Sequence, residues 1–164
     1  LTPDRTACQM AALAVRYFDN DSRIVDACCG TGQLTRALLL EGVHPSALLG
    51  FDADAELVDL YERLYPETAA LRMQFHEIDF RCENVIANPP FEIVECVYFL
   101  QWLSRTQCSG DWAVLLLSYG FIDKQRPKAV QETMRHFIIH HRTPMQEPFA
   151  RTACRAEIVV VERA

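Results

Sequence analysis

Lysine is nearly missing from this chain of 164 residues: it occurs only at positions 124 and 128, and residues 1–90 set 7 arginines against 14 carboxylates. A first half at −7 and a whole chain at −6 argue against a stand-alone binder of duplex nucleic acid, whose affinity comes from neutralising phosphates. No apolar run is long enough to span a bilayer; the longest, Ala113 to Ile122, is interrupted by Ser118 and Gly120. No basic-then-apolar leader opens the sequence, so nothing in it argues for secretion. The seven cysteines (8, 28, 29, 82, 96, 108 and 154) form no C-x-x-C pair, and none stands near a histidine at ligand spacing. The expectation is therefore a cytoplasmic protein with reduced thiols and no metal site. Repeats, linkers and low-complexity tracts are also lacking.

What is present is a soluble, globular balance, 50% hydrophobic and 23% charged. The length predicts one domain over residues 1–164, able to bury roughly 70% of its unfolded surface without disulfides. Thr2-Pro3-Asp4 leads into an amphipathic helix with Ala7, Met10, Ala11, Ala14 and Phe18 at helical spacing. A strand over Arg23–Ala27 runs into Cys28-Cys-Gly-Thr-Gly, and a helix from Gln33 buries Leu34, Ala37 and Leu38 before Gly42 stops it. Ala47–Phe51 is a second strand ending in Asp52, and Asp54 caps a helix with Leu57, Leu60, Tyr61 and Leu64 on one face, closed by Pro66. Strands over 71–75, 84–87 and 112–118 follow, with helices over 92–104 and Lys124–His136, the latter carrying Pro127 in its first turn. Two late strands, Phe137–Arg142 and Ala156–Glu162, have no helix between them and pair antiparallel at the sheet edge. The pattern is α/β: a Rossmann-like, doubly wound, seven-stranded and mostly parallel sheet with an antiparallel final strand, binding ligands at the strands' carboxyl ends.

Several strand ends carry chemistry. Gly30 and Gly32, one residue apart, allow a sharp turn and a close backbone approach to a ligand, and the next helix points free amides there. The loop has neither the Gly-x-Gly-x-x-Gly pattern nor a phosphate-loop lysine, so an adenosyl ligand without phosphates suits it. Asp52 can accept from both hydroxyls of a ribose; the competing use as a helix cap falls better to Asp54. Asp79 can accept from an adenine amino group with Phe80 against the ring, or serve as an ordinary loop aspartate. In Asn88-Pro89-Pro90-Phe91 two prolines stiffen the backbone just past a strand, so the Asn88 side-chain oxygen and the Pro89 carbonyl can form paired acceptors. Such a pair fits a planar –NH2, and Phe91 offers a stacking surface worth ~1–3 kcal/mol for a base.

The ordered set Asp26-x-Cys-Cys-Gly-Thr-Gly, Asp52, Asp79 and Asn88-Pro-Pro-Phe resembles the class I S-adenosylmethionine-dependent methyltransferases. The Asn-Pro-Pro-Phe quartet is similar to the group that methylates planar amino groups: adenine in DNA or RNA, guanine's exocyclic amine in RNA, or a glutamine amide. Thr2-Pro3 resembles the opening motif of an adenine-methyltransferase subgroup, where it lines the cofactor's methionine end. The resemblance implies S-adenosylmethionine as cofactor, held by Thr2, Pro3, Asp26, Cys28, Gly30, Gly32, Asp52, Asp79, Phe80 and Asn88. It further implies that Asn88, Pro89 and Phe91 carry the transfer, with Pro90 on the substrate side.

From Lys124 to Arg155 seven basic residues meet only Glu132 and Glu147, a local +5 that can attract a polyanion or form a solvated face. Lys124, Arg126 and Lys128 are the candidates for holding a phosphate backbone. A nucleic acid is the expected partner, DNA adenine the leading target. No stretch remains for a separate target-recognition domain, so a protein partner is a second expectation. The alternatives are RNA adenine or guanine, a protein glutamine, and a catalytically silent adenosyl-binding scaffold.

Overall fold

The computed structural model describes residues 1–19, 21–123, 127–147, 149 and 155–164. A helix α1 (Asp4–Tyr17) precedes β1 (Ile24–Ala27), α2 (Gln33–Leu40), β2 (Leu48–Asp52), α3 (Ala55–Leu64) and β3 (Ala69–Arg72). The chain continues through β4 (Asn84–Ala87), α4 (Ile93–Thr106), β5 (Trp112–Ser118), α5 (Lys128–Met134), β6 (Phe137–Pro144) and β7 (Ala156–Arg163). These strands form one seven-stranded sheet in the order β3-β2-β1-β4-β5-β7-β6. The first five are parallel, β7 runs antiparallel to β5, and β6 antiparallel to β7.

Helices on both faces explain why the central strands read as apolar runs rather than alternations. Every residue of β1 and β4 is buried. On one face Ile24, Leu48, Ile86, Val114 and Ile158 meet Met10, Ala11 and Ala14 of α1 and Leu34 and Leu38 of α2. On the other, Val25, Phe51, Val85, Leu115 and Val159 meet Phe99, Trp102 and Leu103 of α4.

The sequence expectations diverge from the structure where burial is weak. Strand β3 spans Ala69–Arg72 rather than 71–75; none of its residues is fully buried, and Phe75 begins a 3-10 turn instead, packing edge-on against Phe99. On α3 the buried residues are Val58 and Tyr61, while Leu64 is 53% exposed. The helix phase is set by space beside glycine: a Cβ on Gly50 would lie 2.8 Å from Tyr61 Cζ. Helix α5 starts at Lys128 with Pro127 as its cap, and residues 124–126 lie outside the described ones.

The close approach of Tyr61 to β2 gives a stability prediction. Gly50→Ala should lower the unfolding free energy by ~1–3 kcal/mol through overpacking, measured as a shift in the urea midpoint.

Candidate functional site

The C-terminal edges of β1 and β4 lie side by side, Ala27 paired with Ala87, so the two segments that leave them emerge together. The β1 segment turns through alternating left-handed residues: Cys28 at φ 59, Gly30 at 53 and Gly32 at 80. Cys28 is the one non-glycine among the described residues with positive φ, a conformation that disfavours a side chain. The turn is pinned by Cys29 N donating to Phe51 O at 3.0 Å and by Gly30 N donating to Asp52 Oδ2 at 2.9 Å. Asp52 Oδ1 takes Asp54 N at 3.0 Å, whereas Asp54 itself caps α3 through Glu56 N at 2.9 Å. Asp52 is thus left at the strand tip as an acceptor, with Asp54 doing the capping.

Asp26 lies below the turn, fully buried. Its Oδ2 accepts from Thr35 N at 3.0 Å and Thr35 Oγ1 at 2.7 Å, and Thr35 Oγ1 also meets the Tyr61 hydroxyl at 2.8 Å. Gly32, the N-cap of α2, has no side chain to close the helix end, so Asp26 supplies that acceptor from the adjacent strand. Asp26 Oδ1 is buried with no protein hydrogen bond. Burial outweighs the lowering effect of Thr35 and pushes this carboxyl up to about 7. Burial, aided by Asp52 and Asp26, pushes the Cys28 thiol up to about 12, and burial raises Cys29 as well. Both sulfurs stay protonated at neutral pH, which makes them walls rather than nucleophiles.

Beyond β4, Asn88 is half-buried and Pro89 buried. Asn88 Nδ2 donates to Thr2 Oγ1 at 3.0 Å. Phe91 is half-buried, its ring edge-to-face with Phe149 at 5.1 Å, and its carbonyl accepts from Ser118 Oγ at 3.4 Å. A cleft of about 200 Å³ opens here, with Thr2, Cys28, Gly30, Gln33, Leu57 and Asn88 in its walls. A second cavity, about 260 Å³, opens at the opposite end of the sheet beside Phe18, Ile24 and Ala47, remote from the glycine turn and Asn88.

The structure therefore brings Thr2, Cys28, Gly30 and Asn88 to one cleft, with Asp52 bonded to its glycine wall and Asp26 beneath. Pro3 caps α1 next to Thr2, and Pro90 is half-buried beside Pro89. Gly32 faces elsewhere: a Cβ there would collide with the Tyr65 ring, so its missing side chain makes room for that ring. Asp79 and Phe80 are exposed and are not in the cleft's walls. They follow Ile78, whose carbonyl accepts from Trp102 Nε1 well along α4, and the chain then descends to Cys82, bonded to Thr106 O. Lys124 and Arg126 lie outside the described residues, and Lys128 is exposed and paired with Glu132 at 3.4 Å. Arg142 of the same basic stretch is held by Glu157 at 2.9 Å and Asp123 at 3.1 Å. Sequence reasoning missed Gln33, Leu57, Thr35, Tyr61 and Phe149. Thr35 was within reach as a hydroxyl in the first turn after the glycines; Phe149 carries no local signal, because its contact comes from far along the chain.

Comparison with known proteins adds the family. The model of the methyltransferase domain matches residues 24–120, from β1 through the end of β5. No curated protein sequence matches the chain. Among solved structures, a proposed RNA methyltransferase of Pyrococcus horikoshii is 20% identical, with a TM-score of 0.77 over 99% of this chain and 84% of that one. Magnesium protoporphyrin IX methyltransferase of Synechocystis PCC 6803, solved with S-adenosylmethionine bound, is 14% identical, with a TM-score of 0.76 over 98% and 79%. The ribosomal protein L11 methylase of Lactobacillus delbrueckii subsp. bulgaricus is 14% identical, with a TM-score of 0.69 over 96% and 78%. Three such different substrates on one fold mean that the fold does not choose the acceptor.

The cleft suits this cofactor on its own chemistry. A Cβ built on Gly30 would find only Leu1 Cδ2, 4.0 Å away, so a ligand can approach the backbone there. No lysine or arginine stands among the cleft's described walls, which fits a ligand that is free of phosphate and carries a cation.

Asp26 yields a pH prediction. Its folded-state pKa is raised from 3.8 to about 7, so its contribution to stability is fully present below the unfolded value and is lost as pH rises through about 7. Asp26→Asn removes that titration. Relative to wild type the variant should gain stability between about pH 5 and about pH 8, on the order of 1 kcal/mol per unit across the titrating range. Urea midpoints at the two pH values measure it, and a difference that does not change with pH refutes the assignment.

Proposed function

Since the chain belongs to the methyltransferase-domain family and S-adenosylmethionine is its cofactor, we propose that it methylates the exocyclic amino group of a nucleic-acid base, with adenine in DNA as the leading target. The observation that carries this reading is the placement of Asn88 in the wall of the cofactor cleft, at the tip of β4 beside the glycine turn, followed by two prolines and an aromatic ring. Bound S-adenosylmethionine supplies an electrophilic methyl group on sulfonium. The chain's own residues do the positioning. Gly30 admits the ligand to the backbone, and Asp52 keeps lone pairs for the ribose hydroxyls while bracing Gly30. Asn88 Oδ1 and the Pro89 carbonyl accept the two amine hydrogens and aim the nitrogen lone pair at the cleft. Phe91, braced from one side by Phe149, provides the flat contact for the base. Direct transfer of this kind draws its rate from positioning and preorganised acceptors, with no covalent enzyme intermediate. A paired base must first leave its stack, at a few kcal/mol.

A glutamine amide in a protein is the second reading, favoured by one observation. The basic stretch partly neutralises itself, with Arg142 bound to Glu157 and Asp123 and Lys128 to Glu132, which weakens the case for a phosphate-binding surface. In either reading this chain is one methyltransferase domain, and target selection comes from a partner or from Lys124, Arg126 and neighbouring basic residues.

Methyl-labelled S-adenosylmethionine, offered with separate pools of DNA, structured RNA and protein, tests the proposal. Label should enter DNA, and Asn88→Ala should reduce it at least about 100-fold with cofactor affinity nearly unchanged. Label in protein alone selects the amide reading; label independent of Asn88 removes the assigned role. Asp52→Ala should act in the opposite order, weakening cofactor binding by about 10-fold or more before it alters the chemical step, as read by calorimetry.

A further inference from the structure

Thr2 is polar yet only 7% exposed, and its hydroxyl accepts the Asn88 side-chain N–H at 3.0 Å. An asparagine amide has two ends of similar size and opposite hydrogen-bonding character. Pro89 and Pro90 stiffen the backbone after Asn88 but leave the rotation of its amide undetermined. Turned one way, the side chain offers an acceptor to an incoming amine; turned the other way, it sets N–H against N–H. We propose that Thr2 is the positioning residue that holds the Asn88 side chain at the cleft wall: its hydroxyl engages Nδ2, which leaves Oδ1 as the end presented to the acceptor amine. The inference rests on the amino-group reading above and assigns the support that reading needs.

Thr2 is placed to do this because its own position is anchored. Pro3 caps α1, and its carbonyl accepts Ala7 N at 2.8 Å. Within the first turn, Thr6 N and Thr6 Oγ1 donate to Glu147 Oε1 at 3.0 and 3.4 Å, tying the helix start to the segment between β6 and β7. Ala7, Met10, Ala11 and Ala14 then bury the helix against the sheet and α2. The hydroxyl thus projects from a fixed helix end into a wall that also contains Gly30, so one residue links the cofactor side of the cleft to the substrate side.

Three variants and two readouts test the proposal. In 15N-labelled protein, the Asn88 side-chain amide is identified by its loss in Asn88→Ala, and its protection from hydrogen exchange is followed. Protection should persist in Thr2→Ser, which keeps the hydroxyl, and fall by about tenfold or more in Thr2→Val. Methyl transfer should fall about 10- to 100-fold in Thr2→Val, chiefly in kcat, and be largely restored in Thr2→Ser. The urea midpoint confirms that each variant is folded. An Asn88 amide equally protected in Thr2→Val overturns the proposal. So does an undiminished transfer rate in Thr2→Val when Asn88→Ala abolishes transfer. Should Asn88→Ala leave transfer intact, the amino-group reading fails instead, and the exchange comparison still decides whether Thr2 holds Asn88.

Discussion

The hydrogen bond from Thr35 N to the buried carboxyl of Asp26 is the constraint on which the cofactor side of the sheet depends. A helix that begins at a glycine has no cap of its own, and this one begins at Gly32 because the chain must reverse sharply and leave room for Tyr65. Asp26 closes the helix end from the strand below and joins Thr35 and Tyr61 into one network. Three elements, β1, α2 and α3, are thereby fixed relative to one another beneath the turn that faces the ligand. A buried carboxyl is a costly device, and its raised pKa reports that cost.

Above this foundation the site divides into two halves with different origins. The cofactor half is made of backbone: left-handed residues, an open face at Gly30, and the acceptor Asp52 at a strand tip. In the proposed reading the substrate half is made of side chains on a stiff segment, with Asn88 bonded to Thr2 just ahead of α1 and Phe91 packed on Phe149. Solved structures of this fold carry names that point to RNA, a porphyrin or a ribosomal protein, so the fold alone does not set the acceptor.

Much of this was legible in the sequence, and what was legible shares a physical cause. Strands β1, β2, β4 and β5 are buried along most of their length, so their apolar runs mark them almost to the residue, and the positions of Asp52 and Asn88 at strand ends follow from that. Asp54 was readable as a cap because capping is local. The edge strand β3, half exposed, left no periodic mark and begins two residues earlier than its sequence suggests; Asp79 and Phe80, farther along, are exposed and outside the cleft's walls. The phase of α3 was misread because it answers to gaps at Gly32 and Gly50, which are contacts between elements. At Gly32 the missing side chain makes room for the Tyr65 ring, a use that no local pattern in the sequence shows.

Arg142 bears on a different property. Its guanidinium is shared between the buried Glu157, whose other contact is Gly120 N, and Asp123 just beyond β5. A cation committed in this way displaces few condensed counterions when a polyanion docks. Arg142 itself would accordingly add little to the salt dependence of any polyanion docking beside it, and its part is to hold the end of β5 to β6 and β7.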